Sequence, residues 1–442
     1  MKLLKSLLSF IPNRQSDIRK VGINTLWLVG DRIIRMGIGL IVGVWIARYF
    51  GPELFGTWNY ILAFVGLFTT IATLGIDGIV VRDLTLNLDR AKNYLGSIFG
   101  LRLLSGLGSV VFCIVISLIL SADDQLIIIL IGILSTTLLF QAFDVVDLYF
   151  QSVIKSYYTV ISKGVAFLII SVAKILLIVN SSSIVYFIWA NVIEVVLSSV
   201  FLLVALRKER LNFFEFKWES TIARKMIVEG WPLILAGILV MVYLKIDQIM
   251  LKELATEKSV GIYAAAVRIS EIWYFIPVVI STSIFPYLLK QKAISEEKYT
   301  LTLKRMYSIF FWMAFLIAIF INIVSVPIIS LLYGSDYLPA SEVLSIHIWA
   351  GIFVFLGVAS SQYLMAENIV KYSLYRTLVG AITNIILNFV LIPKYQEAGA
   401  AYATLVSYFM STFSMVLFKP CRRQCLYMIM AVVPSKKLFS NE

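Results

Sequence analysis

Four of the five arginines inside long apolar stretches of this sequence are Arg32, Arg35, Arg102 and Arg268, and the acids Asp31, Asp144, Asp147 and Asp247 stand in such stretches too. A guanidinium group is planar, permanently charged and forked, so it matches phosphate oxygens two at a time. A carboxylate in such a stretch is suited to carrying a proton or receiving a cation. At mid-membrane each ionised group costs about 2.5 to 3.5 kcal/mol on insertion scales, so each needs a partner, water or a ligand. In the run 21–47 Asp31 and Arg35 are four apart with the acid first, the favourable order for an ion pair on one helical face. Arg32 is turned away from that pair and is the positive group left for something else. Over all the apolar runs, eight basic residues (these four with Lys163, Lys174, Lys245 and Arg376) stand against six acids (those four with Glu194 and Glu271). The excess is positive.

Each of these residues has a plainer reading. Arg35 and Asp31 form a structural pair. Arg102 lies two turns into its run, Lys163 and Arg376 near inner ends and Lys174 near an outer end, all within reach of headgroups by snorkelling. Arg268 and Glu271, three apart, satisfy one another. Lys245 and Asp247 are about 200° apart around a helix and need separate partners. Asp144 and Asp147, one turn apart, face the inner water. His347, the one histidine, is expected at the outer interface beside Trp349. Cys113 lies inside a run, and Cys421 and Cys425 flank Arg422 and Arg423 on an inward tail, so neither a disulfide nor a zinc site is expected. There is no Walker loop, metal cluster or nucleophile constellation, so no cofactor, direct ATP drive or covalent catalysis is expected.

The elements that position these charges are membrane spans. Apolar residues make up 60% of the 442 and charged residues 14%, and mean hydropathy is +0.90, which excludes a soluble core with a polar shell. Long apolar runs fall near 21–47, 55–75, 94–120, 125–150, 158–179, 183–206, 230–251, 262–289, 306–332, 343–366, 373–392 and 398–418. These predict an all-α integral membrane protein of about 12 spans. Alternating ten-residue segments are absent, which excludes an outer-membrane barrel. The segment before the first run lacks a cleavage site, so that run is expected to act as the insertion signal. Leu426–Val433 is too short to cross and reads as an interfacial or loose end.

Of the 38 lysines and arginines, 26 fall in alternate connections and only Arg48, Lys252, Lys258 and Lys394 in the others. By the positive-inside rule both termini are cytoplasmic. The net charge of +12 then reflects topology and contact with membrane lipids, not a nucleic-acid partner. The longest inward connection divides the chain into a six-helix bundle at 1–206, a linker at 207–229, a second six-helix bundle at 230–418 and a tail at 419–442. Two such halves insert with the same orientation. A short echo supports the repeat: Gly51-Pro52-Glu53-Leu54-Phe55-Gly56-Thr57-Trp58 opens the second run and Thr256-Glu257-Lys258-Ser259-Val260-Gly261-Ile262-Tyr263 opens the eighth. Pro277 and Pro327 are expected to kink their helices.

Several stretches resemble one family. Asp31-Arg32, Ala47-Arg48-Tyr49-Phe50-Gly51-Pro52 with Phe55-Gly56, Asp247-Gln248-Ile249-Met250-Leu251, Val260-Gly261-Ile262-Tyr263-Ala264-Ala265-Ala266 and Ile284-Phe285-Pro286 look like the polysaccharide branch of the multidrug/oligosaccharidyl-lipid/polysaccharide (MOP) exporter superfamily, nearest to the Wzx-type O-antigen flippases. That resemblance implies two six-helix bundles in a MATE-like arrangement around a central cationic cavity, in a bacterial cytoplasmic (inner) membrane. It implies as substrate an oligosaccharide repeat unit on undecaprenyl pyrophosphate, moved to the outer leaflet for O-antigen or another surface polysaccharide. A polysaccharide polymerase and a chain-length regulator would be its partners. Arg32, Arg35, Arg268 and Arg102 become candidates for the pyrophosphate, and Asp31, Asp247, Asp144 and Asp147 for coupling or for lining the cavity. Alternatives are a drug or cation antiporter of the same superfamily, disfavoured by the basic excess, and a membrane enzyme of glycan assembly, disfavoured by short outward loops.

Overall fold

Gly51 adopts φ 69°, ψ 172°, and the next residue, Pro52, has no amide hydrogen to donate. A helix cannot run straight through that pair, so the 59-residue helix α1 (Gln15–Thr73) is two arms joined at a sharp break. A second break at Gln396 (φ 50°), three residues after Pro393, divides helix α15 (Lys371–Phe413). In this computed structural model, residues 15–209 and 211–431 are described. Among them ten helices are long and apolar enough to span a bilayer, and two of the ten cover two expected runs each. All twelve runs are therefore accounted for. The N-terminal basic residues up to 14, and Val432 and Val433 of the last apolar stretch, lie outside the described residues.

Between those two helices the chain forms α2 (Asp77–Leu86), α3 (Ala91–Leu120), α4 (Gln125–Ser135), α5 (Thr137–Phe140), α6 (Val145–Ser152), α7 (Tyr157–Val179), α8 (Ile184–Lys208), α9 (Ser220–Leu254), α10 (Glu257–Glu271), α11 (Phe275–Ile294), α12 (Glu296–Tyr333), α13 (Ala340–His347) and α14 (Ala350–Ala366); α16 (Arg422–Met430) follows α15. Several spans are made of pieces, for local reasons. In the fourth, the hydroxyls of Ser135, Thr136 and Thr137 each donate to the carbonyl three residues back, at 2.8, 2.7 and 2.7 Å. Three successive back-bonds compete with the helical ladder, and the span breaks there into α4, α5 and α6. In the eighth, Pro277 has no N–H for the carbonyl of residue 273, and a 3-10 turn at Ile272–Tyr274 separates α10 from α11. Pro327 stays inside the continuous helix α12, which has no break in its backbone angles.

The chain forms two compact units, one of residues 1–46 with 64–238 and the other of 47–63 with 239–442. In the first, Leu95, Ile98, Val145, Phe150, Leu206 and Met226 centre a closed apolar core. The connection after the second span forms the helix α2, whose Val80, Asp83 and Leu84 are buried. Helix α9 begins at Ser220, ten residues before its apolar run, because its first turns are polar and bind α2 and α3. Lys225 donates to Asp83 at 2.5 Å, Arg82 to Glu229 at 2.7 Å and Arg90 to Glu219 at 2.6 Å. Burial alone would raise the Asp83 carboxyl, yet Lys225 and Arg82 outweigh it and hold it below the usual carboxylate range. Thr221, Asn93 and Arg90 lower Glu219 to about 2.

In the second unit the two echoed stretches meet. A Cβ at Gly56 would lie 1.7 Å from Glu257 O, and one at Gly261 would lie 1.9 Å from Pro52 O, so only glycine permits this crossing. Thr256 caps α10 by accepting from Ser259 N at 3.1 Å. Helix α16 is docked, not loose: Gln424, Cys425, Tyr427 and Met428 are buried against Tyr307, Phe310 and Phe355. Large apolar side chains on the outside, Ile323 and Leu331 of α12 and Val179 of α7 among them, are over 70% exposed, the surface that lipid covers.

Candidate functional site

In the first unit Arg35 and Asp31 form the expected pair, with Arg35 Nε donating to Asp31 Oδ1 at 2.8 Å and Oδ2 at 2.9 Å. One N–H is thus shared by both oxygens. The guanidinium lies 5.3 Å over the Phe167 ring, and its Nη2 is buried without a hydrogen-bond partner. A groove of about 490 Å³ opens beside the pair, lined by Trp27, Gly30, Ile34, Gly164 and Phe167. A Cβ at Gly164 would meet Asp31 Oδ1 at 3.6 Å, an ordinary contact, so this wall of the groove does not require glycine. Arg32, on the next helical face, is exposed and makes no ion pair among the described residues. One paired and one exposed guanidinium thus stand within a single turn, and of the two only Arg35 lines the groove.

The other candidates of this unit lie elsewhere. Arg102 does not snorkel: it is buried, and its guanidinium is paired with the exposed Asp77 at the start of α2. Asp144 and Asp147 share one cation, Lys163, at 2.7 and 3.1 Å. Asp147 also accepts from Thr159 at 2.8 Å and from Gln151 at 3.2 Å, so it is a knot tying α6 to α7. Lys174 is likewise turned inward and meets Glu194 at 3.3 Å.

In the second unit Asp247 is buried and has no ion pair among the described residues. Its carboxylate accepts from Tyr263 Oη at 2.6 Å, Asn388 Nδ2 at 2.6 Å and Thr404 Oγ1 at 2.7 Å. Asn388 Nδ2 also donates to Asn384 Oδ1 at 3.0 Å. Thr404 Oγ1 lies 2.9 Å from Ala400 O and 3.1 Å from Tyr263 Oη. Two hydroxyl hydrogens cannot serve all these close oxygen pairs, and Asn388 Oδ1 and Asn384 Nδ2 are buried without partners. An oxygen-rich, negatively charged and incompletely satisfied centre of this kind suits a proton or a hard monovalent cation. No group of three or more His, Cys, Asp or Glu occurs among the described residues.

Arg268 and Glu271 do not pair. The Arg268 guanidinium stands 5.9 Å over Phe55, and its Nη1 is buried without a partner. Arg376 donates to Gly357 O at 2.9 Å and Ser361 Oγ at 3.2 Å. His347 is buried, not interfacial, with Nδ1 2.9 Å from Ser270 Oγ. Sequence reading missed Tyr263, Asn384, Asn388 and Thr404 as a set around Asp247. Its one signal was two asparagines four apart inside an apolar run.

A family model described as polysaccharide biosynthesis protein matches residues 21–292, and one described as MatE matches residues 232–390. No curated protein sequence matches. Among solved structures, the lipid II flippase MurJ in an inward closed conformation superposes with a TM-score of 0.70 at 16% identity, covering 95% of this chain and 94% of that one. An inward-facing multidrug resistance MATE family transporter of the MOP superfamily gives 0.71 at 14% identity, covering 91% and 98%. A MOP superfamily transporter from Pyrococcus furiosus gives 0.58 at 13%, covering 92% and 96%. The fold is that of the MOP transporters.

Proposed function

Since the chain belongs to the polysaccharide biosynthesis protein family, we propose that it is the flippase of a surface-polysaccharide pathway. It carries an oligosaccharide repeat unit linked to undecaprenyl pyrophosphate from the cytoplasmic to the outer leaflet of the bacterial inner membrane, for O-antigen or a related glycan, with both termini cytoplasmic. The observation that carries this reading is the spare guanidinium chemistry. Among the described residues Arg32 makes no ion pair and Arg35 Nη2 is unpartnered in the first unit, and Arg268 Nη1 is unpartnered in the second. A pyrophosphate and a hydrophilic sugar cannot enter hydrocarbon bare, whereas the prenyl tail can stay in lipid. Guanidinium donors replace the water that the phosphates give up. Arg32, Arg35 and Arg268 are assigned to the pyrophosphate. Arg102 becomes a structural residue through Asp77. Asp247 is assigned to the coupling ion, proton or cation, while Asp144 and Asp147 hold Lys163. A polymerase and a chain-length regulator consume what the flippase delivers.

The test counts lipid-linked repeat units on each membrane face in a deletion strain complemented with wild type or Arg32→Ala at equal abundance. The reading expects stranding on the inner face in the deletion and no rescue by Arg32→Ala. Normal delivery without the protein refutes it. The MatE match over residues 232–390 favours a second reading, a drug or cation antiporter, for which drug sensitivity of the deletion strain would change while glycan assembly would not.

A further inference from the structure

A second groove of the first unit, about 460 Å³, runs between α7 and α8 and is used by nothing above; Tyr157, Tyr158, Ile161, Phe201, Val204 and Lys208 line it with three others. Its two ends differ in chemistry. Tyr157 is the first residue of α7 and Lys208 the last of α8, so both lie at the same inner membrane level. Both line the groove at that level, beside the positive end of the α7 dipole. Ile161 and Val204, one turn deeper on their helices, are 49% and 53% exposed and continue the groove as a mainly apolar trough in which Ser162 is the one polar side chain. The charge at the mouth is not cancelled: Glu209, the next residue in the chain, is held by Lys155 at 2.5 Å, and Lys208 makes no ion pair or hydrogen bond among the described residues. The rings of Tyr157 and Tyr158 lie 4.2 Å apart, and Tyr158 packs on Phe150 at 5.0 Å, so the polar mouth is built on a braced wall.

We propose that this groove is a binding site for one anionic phospholipid of the inner leaflet, with an acyl chain along Ile161, Phe201 and Val204 and the phosphate held by Lys208 and the hydroxyls of Tyr157 and Tyr158. A cation above an apolar trough is complementary to an anionic amphiphile, and neither a free phosphate nor a bare hydrocarbon would use both ends. The site adjoins the Asp31–Arg35 groove, with Ile161 and Val165 lining both, but it does not depend on the flippase reading. One basic side chain near an anionic lipid surface is expected to contribute about fivefold in affinity.

The test uses the full-length protein, reconstituted in vesicles of equal parts phosphatidylethanolamine and phosphatidylglycerol, extracted in mild detergent, with retained lipid counted by native mass spectrometry. Wild type should retain phosphatidylglycerol over phosphatidylethanolamine. Lys208→Ala should lower that retention about fivefold and Lys208→Arg should preserve it. Val204→Trp, filling the trough, should lower retention of both lipids. Arg207→Ala, a neighbour outside the groove, should leave retention unchanged. Equal retention of the two lipids by wild type overturns the proposal, as does an equal loss in Arg207→Ala, which would mean diffuse surface charge. Retention of a polyprenyl phosphate in place of phosphatidylglycerol, in protein taken directly from cells, overturns it as well and reassigns the groove to substrate.

Discussion

Replacing Gly261 by alanine tests the glycine crossing between the second arm of α1 and α10. The added Cβ would lie 1.9 Å from Pro52 O, which is backbone and cannot rotate aside. The helices must part by about 1.4 Å to reach the ~3.3 Å of a weak C–H···O contact. Phe55, Tyr263 and Ala265 around the crossing are buried and lose contacts as they separate. Overpacking of this kind costs up to about 3 kcal/mol, and alanine's better helix propensity offsets about 1 kcal/mol. A net loss of about 2 kcal/mol is expected. Gly108→Ala is the control: nothing lies within 4 Å of its added Cβ, so only the propensity acts and the protein gains about 1 kcal/mol. Gly56→Ala strikes the same crossing from the other side, at 1.7 Å from Glu257 O. Once one alanine has parted the helices the second finds room, so the double variant should fall short of additivity by about 1 kcal/mol. Reversible unfolding in mixed detergent micelles measures all four. Gly261→Ala as stable as wild type, or a strictly additive double variant, would refute the reasoning.

Further predictions concern charge. Asp247→Ala strands the donors of Tyr263, Asn388 and Thr404; at about 1–3 kcal/mol for each buried unsatisfied group it should lower stability by more than Asp247→Asn, as read by the midpoint of the same unfolding curve, while both abolish any ion dependence of transport. Removing Asp77 leaves the Arg102 guanidinium buried and unpaired, at about 3–5 kcal/mol. Arg102→Met leaves only the exposed Asp77 carboxylate, so Asp77→Ala should be the more damaging of the two; the reverse order in thermal unfolding would sink the pairing. Where α2 meets the start of α9, Asp83 and Glu219 have lowered carboxyl values. Their contribution is present above the unfolded values of about 4 and fades as pH falls toward the folded ones. Wild type should therefore lose thermal stability between about pH 4.5 and 2, and Asp83→Asn with Glu219→Gln should flatten that fall.

The sequence alone determined the class, the twelve runs and the Asp31–Arg35 pair, because each follows from local chemistry. Hydropathy over some twenty residues decides insertion, and four residues of helix decide which side chains share a face. It also determined that Gly51-Pro52 interrupts the first helix, since φ and a missing N–H are properties of single residues. Tertiary structure alone decided partners distant in the chain. Arg102 finds Asp77 across a turn, 25 residues back, and Asp247 finds Asn388 and Thr404, 141 and 157 residues on. The same holds for Arg268, which passes over Glu271, three residues away, for the face of Phe55. In hydrocarbon a polar group takes whichever partner the packing brings within reach, since no water competes, and packing is not written in the spacing of any one helix. The glycines of the two echoed motifs show both levels at once. Their likeness was legible in the chain, and the one crossing too close for a Cβ on either side appears only where the two stretches meet.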